Sequence, residues 1–224
     1  MMAYLAAVMA HPGFTARFKQ DLIRPGLRVP LTAEAELFAK AAALGREVIW
    51  LHTYGERFAD PAEDRAAASP RLPKGQAPTI PKNGAIPGAP EPLPDTMHYD
   101  TAKRRLHIGK GYIDNVPPEV WTYEVSGMNV LRQWFSYRKR DRTRPIIGDR
   151  RPPSPLSFIQ PDHWLSEYTS DLLDLLNLLG RLVLLEPKQA ALLDEILAGK
   201  PIDRAKLEAA GAFASTQPAD VQSV

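Results

Sequence analysis

The sequence predicts an α+β fold in which helices at the N- and C-termini frame a small, mainly antiparallel β-sheet. Three observations carry that expectation. Apolar residues recur at helical spacing near both ends, in TAEAELFAKAAALGREVIWLHTYGERF and in PDHWLSEYTSDLLDLLNLLGRLVLLEP. Between Met97 and Val125, short runs of aromatic and β-branched residues alternate with turn residues. Between them lies SPRLPKGQAPTIPKNGAIPGAPEPLP, whose prolines forbid both a packed helix and a central strand.

Taken in order, residues 2–9 are helical in character, and HPGFTARFKQDL gives a second short helix that starts at Pro12, with Phe14, Phe18 and Leu22 along one side. LRVPL is an extended link. The clearest N-terminal helix follows, capped by Thr32 and keeping its period through Leu37, Leu44, Val48 and Leu51 as far as Phe58. Residues 59–95 read as an extended, partly disordered surface loop. Met97–Tyr99 and Arg105–Ile108 flank a turn at Asp100–Lys103, which predicts a β-hairpin that Tyr112 and Ile113 continue. Pro117 and Pro118 open a turn of helix, Thr122–Val125 is extended, Gly127 breaks it, and Asn129–Lys139 is an amphipathic helix. A long helix begins near Asp162 and ends before Pro187. Pro187 then opens a separate helix that Gly199 closes. There is no internal repeat.

These elements divide the chain into a helical segment (1–58), a Pro-rich loop or linker (59–95), and a sheet with helices (96–200) that packs with 1–58 as one domain. A flexible tail (201–224) follows.

Composition excludes more than it selects. With no cysteine there is no disulfide, thiolate metal site or thiol nucleophile. The N-terminus lacks the basic region and long apolar core of a signal peptide. No run reaches the roughly 18 apolar residues of a membrane span; LLDLLNLLGRLVLLEP is interrupted by Asp174, Asn177 and Arg181. A bacterial, cytoplasmic protein fits. Phosphate-binding glycine loops, nucleophile elbows and metal-binding histidine spacings are all missing. Gly109–Lys110–Gly111 is too short for a phosphate loop and reads as a turn at a strand edge. His98 and His107 face each other across the expected hairpin without a third ligand. The expectation is a chain without catalytic residues, metal or cofactor.

Charge distribution is more informative than the net charge of +2. Lys103, Arg104, Arg105 and Lys110 cluster around the hairpin, with Tyr99, His107 and Tyr112 interleaved. Arg138, Lys139, Arg140, Arg142, Arg144, Arg150 and Arg151 cluster where the Asn129 helix runs out, against Asp141 and Asp149. Cations gathered on a surface suit a phosphate backbone, and arginine suits base edges. The hairpin cations are therefore the candidates for groove contact and the second cluster for phosphates; a solvated loop is the plainer reading of both.

Two blocks carry a resemblance. The first holds His11-Pro12-Gly13-Phe14, Phe18, Arg28-Val29-Pro30 and Leu44-Gly45-Arg46 through Leu51-His52. The second holds Val116, Pro117, Val120, Trp121, Tyr123, Val125, Gly127, Val130, Leu131, Trp134 and Arg138. In order and spacing, from about Tyr4 to Leu197 and excepting the Pro-rich loop, the chain resembles the segment that follows the methyltransferase core in Type ISP restriction–modification enzymes. The resemblance implies a target-recognition (specificity) domain that grips double-stranded DNA while an adjacent adenine methyltransferase flips and modifies a base. The methyltransferase, helicase-type ATPase and nuclease motifs of those enzymes are absent here. The chain is then expected to act as a fragment, subunit or remnant beside a methyltransferase or helicase polypeptide, in cis or in trans. The rival expectation is a scaffold module whose helices dock such a partner with little DNA binding of its own.

Overall fold

A computed structural model describes residues 1–26, 28–140 and 161–212. The fold is α+β, with helices toward both ends and small antiparallel sheets between them. The chain forms two compact units, Met1–Ile49 with Glu186–Val224, and Trp50–Leu185.

The first unit contains α1 (Met2–Met9), α2 (Pro12–Arg17), most of α3 (Ala35–His52), the end of α6 (Ser166–Ala198) and α7 (Arg204–Ala209). Its core joins Tyr4, Ala7, Val8, Phe14 and Ala41 to Leu192, Leu193 and Ile196. Burying a tyrosine hydroxyl demands a partner; Tyr4 donates to the Pro30 carbonyl at 2.8 Å, and its ring stacks on Phe38 at 4.9 Å. Thr32 accepts from the Glu34 N–H at 3.1 Å, yet α3 itself begins only at Ala35.

Two helix boundaries differ from expectation. α3 stops at His52 rather than Phe58, because Tyr54 (φ 52°) and Gly55 (φ 89°) turn left-handed and the Gly55 N–H returns to the Trp50 carbonyl at 2.9 Å. At the other end, α6 begins at Ser166 and Pro187 lies inside it instead of dividing two helices. A proline there deletes one ladder hydrogen bond, but packing outweighs that loss. Ahead of the proline, Leu172, Leu176, Leu179, Leu182 and Leu185 are buried in the second unit. After it, Leu192, Leu193 and Ile196 are buried in the first. Gln189 also contributes. It is 1% exposed and donates to the carbonyls of Ala7 at 3.0 Å and Ala10 at 3.4 Å, which the end of α1 leaves without helical partners. Gln189→Leu keeps the volume and removes the donor. It is expected to cost about 1–3 kcal/mol, seen as a lower urea midpoint at an unchanged slope.

The second unit is built on a three-stranded antiparallel sheet of β1 (Met97–Asp100), β2 (Arg105–Ile108) and β3 (Gly111–Ile113), in that order. Strand alternation sends Leu106, Ile108 and Ile113 to one face, where each is fully buried. The Pro-rich stretch covers this face. It was expected to be partly disordered, but it packs. Thr79 and Asp114 exchange backbone hydrogen bonds at 3.0 and 2.8 Å, the Asn115 amide donates to the carbonyls of Gly75 and Ala77, and Leu72 and Leu93 are buried. A Cβ on Gly111 would lie 2.6 Å from the Ile86 Cα, so glycine is what lets the segment approach so closely.

Beyond α4 (Pro118–Trp121), Gly127 does more than break a strand. Ser126 (φ 53°) and Gly127 (φ 76°) make a two-residue turn joining β4 (Glu124–Val125) to β5 (Met128–Asn129). Asn129 then caps α5 (Val130–Ser136), accepting from the Arg132 N–H at 2.9 Å while its amide donates to the Trp121 carbonyl at 2.7 Å.

Candidate nucleic-acid interface

With one face of the three-stranded sheet packed, the opposite face is the open one. The register places His98 opposite His107 and His107 opposite Tyr112. The two imidazoles stack at 4.5 Å with planes 1° apart, and Tyr112 follows at 5.8 Å. Arg105 ends the row, its guanidinium carbon 3.8 Å above the Tyr112 ring. The row is thus His98, His107, Tyr112 and Arg105, drawn from all three strands.

The cations expected here fall into different situations. Arg105 is committed: its Nε and a terminal nitrogen donate to the two Asp114 oxygens at 2.5 and 3.1 Å, which raises its pKa further. Lys103 is 64% exposed, its ammonium 3.8 Å from Asp100. The Lys103 N–H, donating to Asp100 at 3.1 Å, is the main reason the Asp100 carboxyl is held below the usual carboxylate range. Arg104 is exposed at the end of the same turn with φ 51°. That left-handed conformation costs an L-residue about 1–2 kcal/mol, and glycine or asparagine would bear it more cheaply. Lys110, at the β2–β3 turn, is 73% exposed and pairs with Glu91 at 2.8 Å. Gly109–Lys110 is that turn, with Gly109 at φ 53°.

In the second cluster, where it is described, Arg138 turns inward while Arg140 stays exposed. The Arg138 guanidinium lies 4.1 Å over Trp134 and 5.4 Å from Tyr168, and donates to the Trp134 carbonyl at 3.1 Å. Arg140 donates to the Leu93 carbonyl at 3.2 Å and pairs with Asp95 at 3.4 Å. Lys139 is half-buried. Arg142, Arg144, Arg150 and Arg151 lie outside the described residues.

Sequence reading named the histidine pair and the turn cations but passed over the carboxylates set among them. Asp100 is directly opposite Arg105 in the register, and alternation from His98 was signal enough to place it on the open face. Asp114 gave no such signal, because its pairing with Arg105 depends on the β2–β3 register. Among the described residues, no group of three or more His, Asp or Glu side chains is placed to hold a metal ion, and no helix is long and apolar enough to cross a membrane.

The family model of the Type ISP C-terminal specificity domain matches residues 1–175. No curated protein matches, and no solved structure does.

Proposed function

Because the chain belongs to the family of Type ISP C-terminal specificity domains, we propose that it reads double-stranded DNA for a restriction–modification system in the bacterial cytoplasm. In this reading it has no methyltransferase, ATPase or nuclease chemistry of its own and works beside a methyltransferase or helicase polypeptide. The observation that carries the reading is the open sheet face ending in the exposed Lys103–Arg104 turn. Strands of a sheet can enter a groove of B-DNA, and the β1–β2 turn of this three-stranded sheet carries exposed cations. Lys110 remains a candidate for groove contact and the downstream run of Arg142, Arg144, Arg150 and Arg151 for flanking phosphates, while Arg105, first expected in the groove, orders the face in this reading.

The test is fluorescence-anisotropy binding of random duplex DNA across a salt series. Lys103→Ala/Arg104→Ala is expected to weaken binding at least tenfold at low salt and to reduce the slope of log affinity against log salt by about two. Wild-type affinity that does not change with salt, or a variant indistinguishable from wild type, would overturn the reading.

A second reading has an observation behind it. In the first unit, Phe18, Leu22, Val29, Pro30 and Leu197, with Asp21 and Arg28 among them, line a mostly apolar hollow of about 310 Å³. Beside it, Ile23 is 72% exposed. An apolar hollow of this kind suits a side chain of a partner polypeptide. Co-purification with a methyltransferase subunit, without DNA binding at low salt, would favour that docking role over DNA reading.

A further inference from the structure

We propose that the stacked His98–His107 pair is a phosphodiester site that takes up a proton as DNA docks, so that DNA affinity rises as pH falls through the histidine range. The proposal rests on the DNA-reading function above.

Its starting point is a shortage of charge. The open sheet face and its β1–β2 turn carry Lys103, Arg104 and Arg105 against Asp100 and Asp114, and Arg105 is held bidentate by Asp114. Beyond its turn cations, the face therefore offers a phosphate backbone little surplus positive charge. Two imidazoles stacked at 4.5 Å lie in the middle of it. They are the groups on this face whose charge can change near neutral pH.

The surroundings fix how the pair titrates. From β1, Asp100 favours a proton on His107; from the turn Lys103, and from β2 Arg105, oppose it, as does His98 itself. Tyr112, on β3, covers the other side of His107. Burial is the largest influence, and with these cations it keeps His107 below the ordinary histidine range. Asp100 cannot take the proton instead, because the Lys103 N–H stabilises its carboxylate. His107 is thus neutral near pH 7 in the free protein. At ring-stacking distance a second imidazolium is opposed by the first. A phosphate brought alongside reverses the balance, since an adjacent anion favours the charged imidazole. The face becomes more positive at the moment it meets the polyanion.

The experiment is anisotropy binding of a labelled random duplex by the full chain at constant ionic strength, between about pH 5.5 and pH 8. Uptake of one proton makes the wild-type affinity fall by up to about tenfold per pH unit between the free and bound pKa values. His98→Gln and His107→Gln are expected to flatten that profile while binding at pH 8 is retained. His98 is exposed, so its variant keeps the test valid if His107→Gln folds poorly. A wild-type profile as flat as the variants', or variant profiles as steep as wild type, overturns the proposal while leaving DNA reading intact. If no DNA binds at any pH, the DNA reading fails. The site is then judged by NMR titration of the two imidazoles with inorganic phosphate as probe. A rise in their pKa on adding phosphate supports it, and unshifted rings overturn it.

Discussion

Replacing Gly45 with alanine is expected to unfold the N-terminal unit at temperatures where the wild type is stable. A Cβ at Gly45 would lie 1.6 Å from the Ala3 carbonyl oxygen and 2.4 Å from its carbon. Gly45 is where the backbones of α3 and α1 touch. Helix propensity favours alanine there by about 1 kcal/mol, so the direction of the effect tests packing against propensity. Packing is expected to win clearly. Overpacking a core costs about 1–3 kcal/mol when side chains can turn away, and more when they cannot; here the obstacle is main chain, and a whole helix must shift. Such a shift disturbs Tyr4, whose hydroxyl and ring are both engaged. A loss of about 3 kcal/mol or more corresponds to a melting temperature lower by roughly 10 °C for a chain of this size. Gly180→Ala is the control. Its Cβ would meet a Leu72 methyl at 2.5 Å, which is the end of a rotatable side chain. It should therefore cost much less. Substituting Ala3 by glycine cannot rescue Gly45→Ala, because the carbonyl remains. Melting of Gly45→Ala within a few degrees of wild type would mean that α1 does not lie against α3 as described.

The same glycine shows what was legible in the sequence. Leu44-Gly45-Arg46 stood out as part of a family pattern, but nothing local said that the glycine admits another helix. Elements fixed by local periodicity were readable: α1, the start of α2, the body of α3, the β1–β2 hairpin and the body of α5, though α2 stops at Arg17 and α5 at Ser136 and the capping role of Asn129 was not read. That His98 faces His107 was readable too, because alternation in a hairpin puts both on one face; that their rings stack was not. What escaped depends on partners distant in the chain. Pro187 reads as a helix start until Gln189 and the leucines around it find their contacts. The prolines of residues 59–95 exclude a regular element but say nothing about packing, and that segment covers the inner face of the sheet. β4 and β5 have two residues each, too few to show a period. The charge clusters were read as DNA-contact candidates with a solvated loop as the plainer alternative; Lys103, Arg104 and Arg140 are exposed, but the Arg138 guanidinium lies over Trp134.

Arg138 is the sharpest instance, and Arg138→Ala is expected to lower stability without touching the salt dependence of DNA binding. The guanidinium is placed over Trp134, one helical turn earlier, and beside Tyr168, with one nitrogen bonded to the Trp134 carbonyl and its Nε buried. Trp134 in turn meets Trp164 edge-on at 6.2 Å, and Trp164 meets Tyr168 at 5.5 Å, so the arginine closes an aromatic cluster on α5 and the start of α6. Cation–π contacts of this kind contribute about 0.5–2 kcal/mol, and the alkyl stem adds the packing it provides. Truncation should therefore cost about 2–3 kcal/mol. Lysine should recover only part of it, because an ammonium cannot lie flat on an indole. The two functions separate by measurement. A residue that neutralises a phosphate changes the salt slope by about one; a residue that closes a core changes the melting temperature. Lys103→Ala/Arg104→Ala is expected to move the first and leave the second. Arg138→Ala is expected to do the reverse when binding is measured well below its melting temperature. A reduced salt slope in a fully folded Arg138→Ala protein would show that the guanidinium leaves its aromatic seat to meet DNA. The basic run would then act as one phosphate clamp from its first residue, instead of beginning beyond an arginine that holds the fold.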